Sequence, residues 1–465
     1  PGHNGGDALV VARELHFRGY EVLVYCPFER MKELTGYHAS YAKSLGIPFV
    51  EDLEELSTCD WLVDGLFGFG LERSLTGEIA AAVDQINQWQ KPVVSIDLPS
   101  GLHTDTGQVL GTAVKAAHTL CLGLWKQGLL QDQALDWVGK AELIDFDLPL
   151  ADIDAVLGET PSVRRIIAES AIAHLPLHRS PTAHKYTMGH VLLVCGSRQY
   201  SGAAILAGLG ARASGVGMVT IAVPESLKPI LTAQLPEALV LACPETPSGA
   251  ILDFPGETDL EKYDAIACGP GLTLDAKPIV RMVLATACPL VLDADGLNIL
   301  AKWGTSPHPE KSWRTPILAD RTAPTVLTPH WGEFKRLFPQ FSESPNCRVT
   351  AVRQAAEQTN TVVLLKGART AIADSQTVWI NPESTPALAR GGSGDVLTGL
   401  IGGLLAQSSV SQSSTPIETV QTAAWWHSQA GILAAQERTK LGVDAHTLAD
   451  YLIPAIAAHT NNSFG

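Results

Sequence analysis

Gly391-Gly392-Ser393-Gly394-Asp395 is the stretch of this chain best equipped for chemistry. It runs into VLTGLIGGLLAQ, where Leu397, Leu400, Ile401, Leu404 and Leu405 recur at helical spacing, so a helix is predicted to begin near Ser393. Glycine-rich backbone at a helix N-terminus offers unpaired N–H donors and the positive end of the dipole, which suits a transferring phosphoryl group. An acid in that first turn is most simply a partner for the dipole. Beside a phosphate, it is useful only as a base toward an incoming hydroxyl. Gly399, Gly402 and Gly403 lie inside the same helix. Each costs roughly 1 kcal/mol relative to Ala, which predicts the close approach of another backbone. Upstream, the apolar run Val362–Leu365 ends in Lys366-Gly367-Ala368-Arg369-Thr370. The C-terminal end of such a strand is where α/β folds place nucleotides. No Walker A sequence occurs, so a P-loop ATPase is excluded.

A second set of polar segments lies near the beginning. Asn4-Gly5-Gly6-Asp7 reads as a turn before a helix with Val10, Val11 and Leu15 on its apolar side. Such a turn could present N–H groups to a pyrophosphate. Asp64-Gly65-Leu66-Phe67-Gly68-Phe69-Gly70-Leu71 and Ser95-Ile96-Asp97-Leu98-Pro99-Ser100-Gly101-Leu102 each end a strand-like run. Three polar loops at one edge of one sheet define a ligand crevice. The opening Pro1-Gly2-His3-Asn4 falls inside what reads as a strand-to-helix turn, so the chain is expected to lack the beginning of that domain.

The elements that position these segments alternate. Residues 8–150 give ALVVARELHFRG, YEVLVYCP, WLVDGLFG, EIAAAVDQINQW and KPVVSIDLP, short apolar runs with helices between them. That pattern predicts parallel strands covered on both faces, a doubly wound sheet. The tract Asp145–Val163 has no clear period and collects Pro, Gly and Asp, so domains are expected over 1–158 and 159–465. From His184 the alternation restarts in a larger α/β domain: GHVLLVCGS, GAAILAGLGARASG, VGMVTIAVP, YDAIACGPG, CPLVLDADG, PTVLTPH, TVVLLKG. TAIADSQTVWINP reads as a hairpin, and two helices, GDVLTGLIGGLLAQ and IETVQTAAWWHSQAGILAAQER, are expected to close the chain.

Composition narrows the partners. At 465 residues, the chain is too long for one core. A net charge of −15 without a basic run argues against nucleic acid and anionic membranes, but not against a nucleotide held by backbone N–H groups. The most apolar tract, 203–223, carries Arg212 and a run of small residues and reads as helix then strand. Eight cysteines form no C-x-x-C pair, and several sit in strand-like runs. Reduced, buried thiols and a cytoplasmic location are therefore expected.

Gly269-Pro270-Gly271, Asp293-Ala294-Asp295-Gly296-Leu297-Asn298, Thr328-Pro329-His330-Trp331-Gly332-Glu333, KGART and GGSGD, in this order, resemble the ADP-dependent NAD(P)H-hydrate dehydratases of the ribokinase-like superfamily. The resemblance implies that a 6-hydroxy-dihydronicotinamide is phosphorylated on its hydroxyl by ADP, with Mg2+, and that loss of phosphate restores NAD(P)H. It makes Asp395 the base and Gly392, Ser393 and Gly394 the anion hole. Lys366, Gly367, Ala368, Arg369 and Thr370 bind nucleotide, while Ala203, Gly271 and His330 contact the hydrate. By itself, a histidine after proline is more often a surface residue. The family has Pro where this chain has Trp331.

The earlier segments resemble the NAD(P)H-hydrate epimerase domain, with a Rossmann-like fold. By that match His3, Asn4, Gly5, Gly6 and Asp7, then Gly68, Phe69, Gly70, Leu71, Glu72, Arg73 and Ser74, and Asp97 contact the hydrate. Asn4, Asp64 and Ser100 hold K+, an ion that suits oxygen donors, and Asp97 is the candidate acid/base for inverting C6. His3 and Ala8 depart from the usual Asn and Gly. The expected partners are NADHX or NADPHX and ADP, and a homo-oligomer is expected. Two other readings stay open: a small-molecule kinase of the same superfamily fused to a nucleotide-binding module, and an N-terminal half that binds without turnover.

Overall fold

The structure, a computed structural model, describes residues 1–158, 160–303, 314–341 and 348–461. The chain divides into two compact units, Pro1–Thr160 and Pro161–Gly465.

In the first unit, β-branched and aromatic runs form parallel strands with helices between them. Strands β1 (Val24–Tyr25) and β2 (Phe49–Val50) pair with each other, and β3 (Leu62–Asp64), β4 (Val93–Ile96), β5 (His118–Leu122) and β6 (Lys140–Ile144) form a second parallel sheet in that order. The α/β class is as expected, but the strands make two sheets rather than one. A groove of about 730 Å³, lined by Val11, Leu15, Val22, Val24, Leu62 and Val63 among others, lies between β1 and β3. The opening segment differs too. His3–Phe17 is helical from His3, so Asn4-Gly5-Gly6-Asp7 is the first turn of the helix and not a turn before it. Its buried positions are Gly6, Leu9 and Ala12 rather than Val10, Val11 and Leu15. The close approach is at Gly65, where a β-carbon would meet Ala8 Cβ of this helix at 2.4 Å.

The second unit is a ten-stranded sheet in the order β10-β9-β8-β11-β12-β13-β14-β15-β16-β7. These are β7 (Val163–Arg165), β8 (His190–Val194), β9 (Met218–Pro224), β10 (Leu239–Cys243), β11 (Ala265–Cys268), β12 (Leu290–Leu292), β13 (Thr325–Leu327), β14 (Val362–Leu365), β15 (Ala371–Ala373) and β16 (Val378–Ile380). Strands β8 to β14 are parallel, and β14-β15-β16 turn antiparallel, which places the expected hairpin at β15-β16. The central strands are buried on both faces, so their sequences are continuous apolar runs rather than alternating ones.

A helix does begin at Ser393 and runs to Ser411, buried from Val396 to Gln407. It packs against the helix Ser201–Ala213 so closely that a β-carbon at Gly399 would meet the Ala207 carbonyl at 1.9 Å, and one at Gly210 would meet the Val396 carbonyl at 2.1 Å. The backbone contact, far tighter than side chains permit, is what the helical glycines make possible. Two closing helices were expected; a third, Ala445–Asn461, follows Pro416–Arg438 and packs on it. No helix of the described residues is long and apolar enough to cross a membrane. The seven described cysteines are free, five of them buried; Cys347 lies outside the described residues.

Candidate active sites

The carboxyl ends of β8, β11, β12, β13 and β14 lie side by side, so each parallel strand delivers a loop to the same edge. From β12 comes Asp293, from β13 His330, from β14 Lys366. Lys366 Nζ donates to Asp293 Oδ1 at 2.7 Å, and Thr398 Oγ1, one turn into the Ser393 helix, donates to Asp293 Oδ2 at 2.6 Å. A β-carbon at Gly394 would come 3.3 Å from Lys366 Nζ. The helix N-terminus, the lysine and two carboxylates thus share one small volume. Gly392, the N-cap, has φ +91° and lies against Leu206 and Ala445, a conformation and a gap that glycine alone fits without strain.

Electrostatics follow from that crowding. Burial, and then Asp293 and Asp295, push the Asp395 carboxyl up to about 7, against the downward pull of Lys366. Burial would lower the Lys366 ammonium, but Asp293, Glu333 and Asp395 outweigh it and hold it above its ordinary value. His427, on the helix Pro416–Arg438, is buried and held down to about 4 by desolvation. It is therefore neutral, and its Nε2–H donates to the Ser393 carbonyl at 2.9 Å, fixing the first turn from behind.

The remaining sequence-derived positions are distributed around this cluster. Gly271 (φ +64°) faces Ala203 and Tyr200: a β-carbon there would sit 2.8 Å from Ala203 Cβ, so these two predicted positions are neighbours. Lys366 pairs in register with His330, and its N–H donates to the Pro329 carbonyl at 2.9 Å. His330 is the N-cap of the helix Trp331–Leu337; its Nδ1 accepts from the N–H of Gly332 (2.9 Å) and Glu333 (3.4 Å), and its Nε2 lies 3.5 Å from Glu333 Oε1 on an exposed ring. Trp331 stacks on Phe334 with ring centroids 5.5 Å apart. Gly367 and Ala368 are exposed in the turn between β14 and β15, Arg369 is half-buried, and Thr370 Oγ1 donates to the Gly367 carbonyl. A cavity of about 380 Å³ opens beside Asp295, Asn298 and Arg336.

In the first unit, Asp64 ends β3 and is buried. Ser100 Oγ donates to its Oδ1 at 2.6 Å, Ser95 Oγ to Oδ2 at 2.9 Å, and the N–H groups of Leu66 and Ser100 complete the set. All four donors are neutral, and burial raises the carboxyl above its ordinary range. Asn4 packs against Gly68, and both polar atoms of its side chain are buried without a hydrogen-bond partner. Asp97 follows β4 with φ +68°, and Leu98 N–H donates to the Ile96 carbonyl across it at 2.8 Å. That is a γ-turn, a strained way to present a side chain. Phe69 N–H donates to Asp97 Oδ2 at 3.4 Å and Gly70 N–H to Thr104 Oγ1 at 3.1 Å, which ties the 68–71 loop over Asp97. Leu71 is half-buried, while Glu72, Arg73 and Ser74 are exposed further along. Burial, and after it Asp97, raises the Asp7 carboxyl, with His3 and His38 opposing. His3, Gly5 and Gly6 lie in the same helical turn.

Sequence reasoning left Asp293, Thr398, His427 and Lys126 without a role. Asp293 follows an apolar strand in a D-x-D pattern and could have been picked out by position; the others carry no local signal.

Comparison with known proteins accounts for this arrangement. A family model described as NAD(P)H-hydrate dehydratase matches residues 191–454, and one described as YjeF-related protein N-terminus matches residues 1–128. The bifunctional NAD(P)H-hydrate repair enzyme of Thermosynechococcus vestitus is 53% identical over 457 residues, covering 98% of this chain and 86% of that protein. Its counterpart in a Synechocystis strain is 55% identical over 456 residues, covering 98% and 84%. The crystal structure of the ADP/ATP-dependent NAD(P)H-hydrate dehydratase from Bacillus subtilis, co-crystallised with ATP/Mg2+, is 34% identical with a TM-score of 0.52, covering 64% of this chain and 98% of that one. The chain belongs to the family of bifunctional NAD(P)H-hydrate repair enzymes, an epimerase domain followed by a ribokinase-like dehydratase domain.

Proposed function

We propose that this chain repairs hydrated nicotinamide cofactors, interconverting the R and S hydrates in its first unit and dehydrating the S hydrate in its second with ADP as phosphoryl donor. The observation that supports the second activity best is the convergence of Asp395, Lys366 and the glycine-rich helix N-terminus. Asp395 accepts the proton of the substrate's C6 hydroxyl as its oxygen attacks the β-phosphorus of ADP, and AMP leaves. The backbone N–H groups of Gly392 to Gly394 and the Lys366 ammonium receive the charge that develops on the phosphoryl oxygens. The C6–O bond of the phosphorylated hydrate then breaks and inorganic phosphate leaves. Loss of the neighbouring proton from C5 restores the dihydronicotinamide. Gly367 to Thr370 hold the nucleotide, and Ala203, Gly271 and His330 the hydrate.

Mg2+ fits this second site. It binds through few protein carboxylates plus phosphates, and Asp293, Asp295 and Asp395 leave negative charge that Lys366 only partly offsets. Asp295 and Asp395 would face the ion, which supplies neutralisation of the phosphates. K+ fits the first unit. An unsatisfied Asn4 amide beside a buried carboxylate with only neutral donors is a site that a monovalent cation completes, with Asn4, Asp64 and Ser100 around it. There the ion would anchor the Asn4 turn of the helix. Asp97 takes the C6 hydroxyl proton while the C6–N1 bond opens and N1 gains a proton; closure on the opposite face reverses both transfers. The contacts to the hydrate would come from His3 to Asp7 and Gly68 to Ser74.

The seven described cysteines, all free thiols, support a reducing, cytoplasmic setting. The exposed Leu150, Val156 and Leu157 of one short helix support self-association. The deciding experiment incubates the protein with mixed hydrate epimers and ADP or ATP, following the absorbance of restored dihydronicotinamide. Accumulation of a stable phosphorylated product would instead make it a kinase.

A further inference from the structure

Among the described lysines of the first unit, Lys126 has an unusual position. Its side chain is only 15% exposed, and its ammonium pairs with Asp97 Oδ1 and donates to the Leu122 carbonyl at 2.6 Å. A lysine stem is long enough to reach water from most surface positions, and burying the head costs free energy unless charge and hydrogen bonds compensate. Here the compensation comes from one carboxylate, the same one that the strained γ-turn presents. Leu122 N–H donates to the same Oδ1 at 3.3 Å. Oδ1 is therefore saturated from the β5 side, while Oδ2 has only the long contact from Phe69 N–H. The titratable groups that face Asp97 are Lys126, Asp7 on the first helix and the Cys121 thiol on β5, which burial keeps neutral. Lys126 is the cation among them, set against two acidic groups.

We infer that Lys126 is the positioning residue of the epimerase site: it locks Asp97 through Oδ1 and neutralises its neighbourhood, so that Oδ2, under the 68–71 loop, is the atom that takes and returns the hydroxyl proton. This inference rests on the reading of Asp97 as the base of the first unit. It accounts for the left-handed backbone at Asp97. The ion pair offsets the strain of the turn.

The test uses the full chain and pure R hydrate without ADP, with the epimers separated by chromatography. Lys126→Ala, checked for folding by thermal unfolding, should lose about 10²-fold in kcat for conversion to S, the scale of a misplaced catalytic group, with KM changed by less than about threefold. Propylammonium added to that variant should restore the rate, because it replaces the missing atoms and charge. Propan-1-ol, of similar size and uncharged, should not. Lys126→Arg should keep at least about one-tenth of the rate. Full activity of Lys126→Ala, or equal rescue by the alcohol, overturns the inference. Asp97→Asn separates this from the underlying reading: if that variant epimerises at the wild-type rate, Asp97 is not the base and the role of Lys126 falls with it. If Asp97→Asn is inactive while Lys126→Ala is fully active, only the inference fails.

Discussion

Replacing Asp395 with Asn tests the dehydratase mechanism at its base. The carboxyl titrates at about 7 because it is buried next to Asp293, with Lys366 pulling the other way. A base of that pKa is about half ionised at neutral pH. The rate of S-hydrate dehydration at saturating ADP should therefore fall about tenfold per pH unit below the carboxyl's midpoint and level off above it, with Mg2+ beside the carboxyl moving that midpoint below its ion-free value. The amide introduced by Asp395→Asn accepts no proton in this range, so the loss should be about 10²- to 10⁴-fold, with hydrate and ADP still bound. A companion variant checks the cause: Asp293→Asn removes a neighbour that raises Asp395 and frees Lys366 to face it, so the midpoint should move down. Absorbance of restored dihydronicotinamide, recorded from about pH 5.5 to 9, measures all three proteins. Wild-type turnover in Asp395→Asn would remove this residue from the mechanism. An unmoved midpoint in Asp293→Asn would refute the electrostatic argument.

The other predictions follow from single contacts. Lys366→Ala should raise the apparent constant for ADP more than that for the hydrate and also unpair Asp293; equal effects on both substrates would make the KGART stretch structural. His427 is held down to about 4 when folded, against 6.5 for a free imidazole, so the unfolded chain binds its proton first as pH falls. Stability of the second unit should then decline between about pH 6.5 and 4 by up to roughly 3 kcal/mol, and His427→Gln should flatten that slope in denaturant titrations. A slope identical to wild type would contradict the neutral, buried imidazole. K+, compared with Li+, should raise the unfolding temperature of the first unit and speed epimerisation; Asn4→Ala should abolish both effects, and a K+ response surviving in it would place the ion elsewhere.

Much of the second unit was legible in the chain. The helix start at Ser393, the close packing implied by its internal glycines and the hairpin at β15-β16 all follow from period, breakers and propensity, which are local quantities. What stayed hidden depends on contacts distant in sequence. Lys366 meets Asp293 across 73 positions, and Thr398 meets the same carboxylate across 105. No local pattern distinguishes a lysine so paired from one in solvent. Lys126 was invisible for the same reason. The helix Ala445–Asn461 carries an internal Pro454 that weakens its signal, and β7 is a three-residue strand whose partner, β16, lies more than two hundred positions downstream. The first helix was misplaced because Asn and glycines favour turns; here they form its opening turn, where Gly65 and Gly68 let it pack against the end of β3.

Both halves of one repair reaction reside in this chain. One assay puts them together: pure R hydrate is supplied with ADP and Mg2+, and dihydronicotinamide absorbance is followed with the intact protein, with Asp97→Asn and with Asp395→Asn. The intact protein should recover all of the dihydronicotinamide, faster than spontaneous epimerisation allows. Asp97→Asn should recover it only at the spontaneous rate, and Asp395→Asn should leave mixed epimers with little dihydronicotinamide formed. Recovery in which Asp97→Asn matches the intact protein would remove the epimerase half, and a phosphorylated hydrate that never yields dihydronicotinamide would remove the dehydratase half.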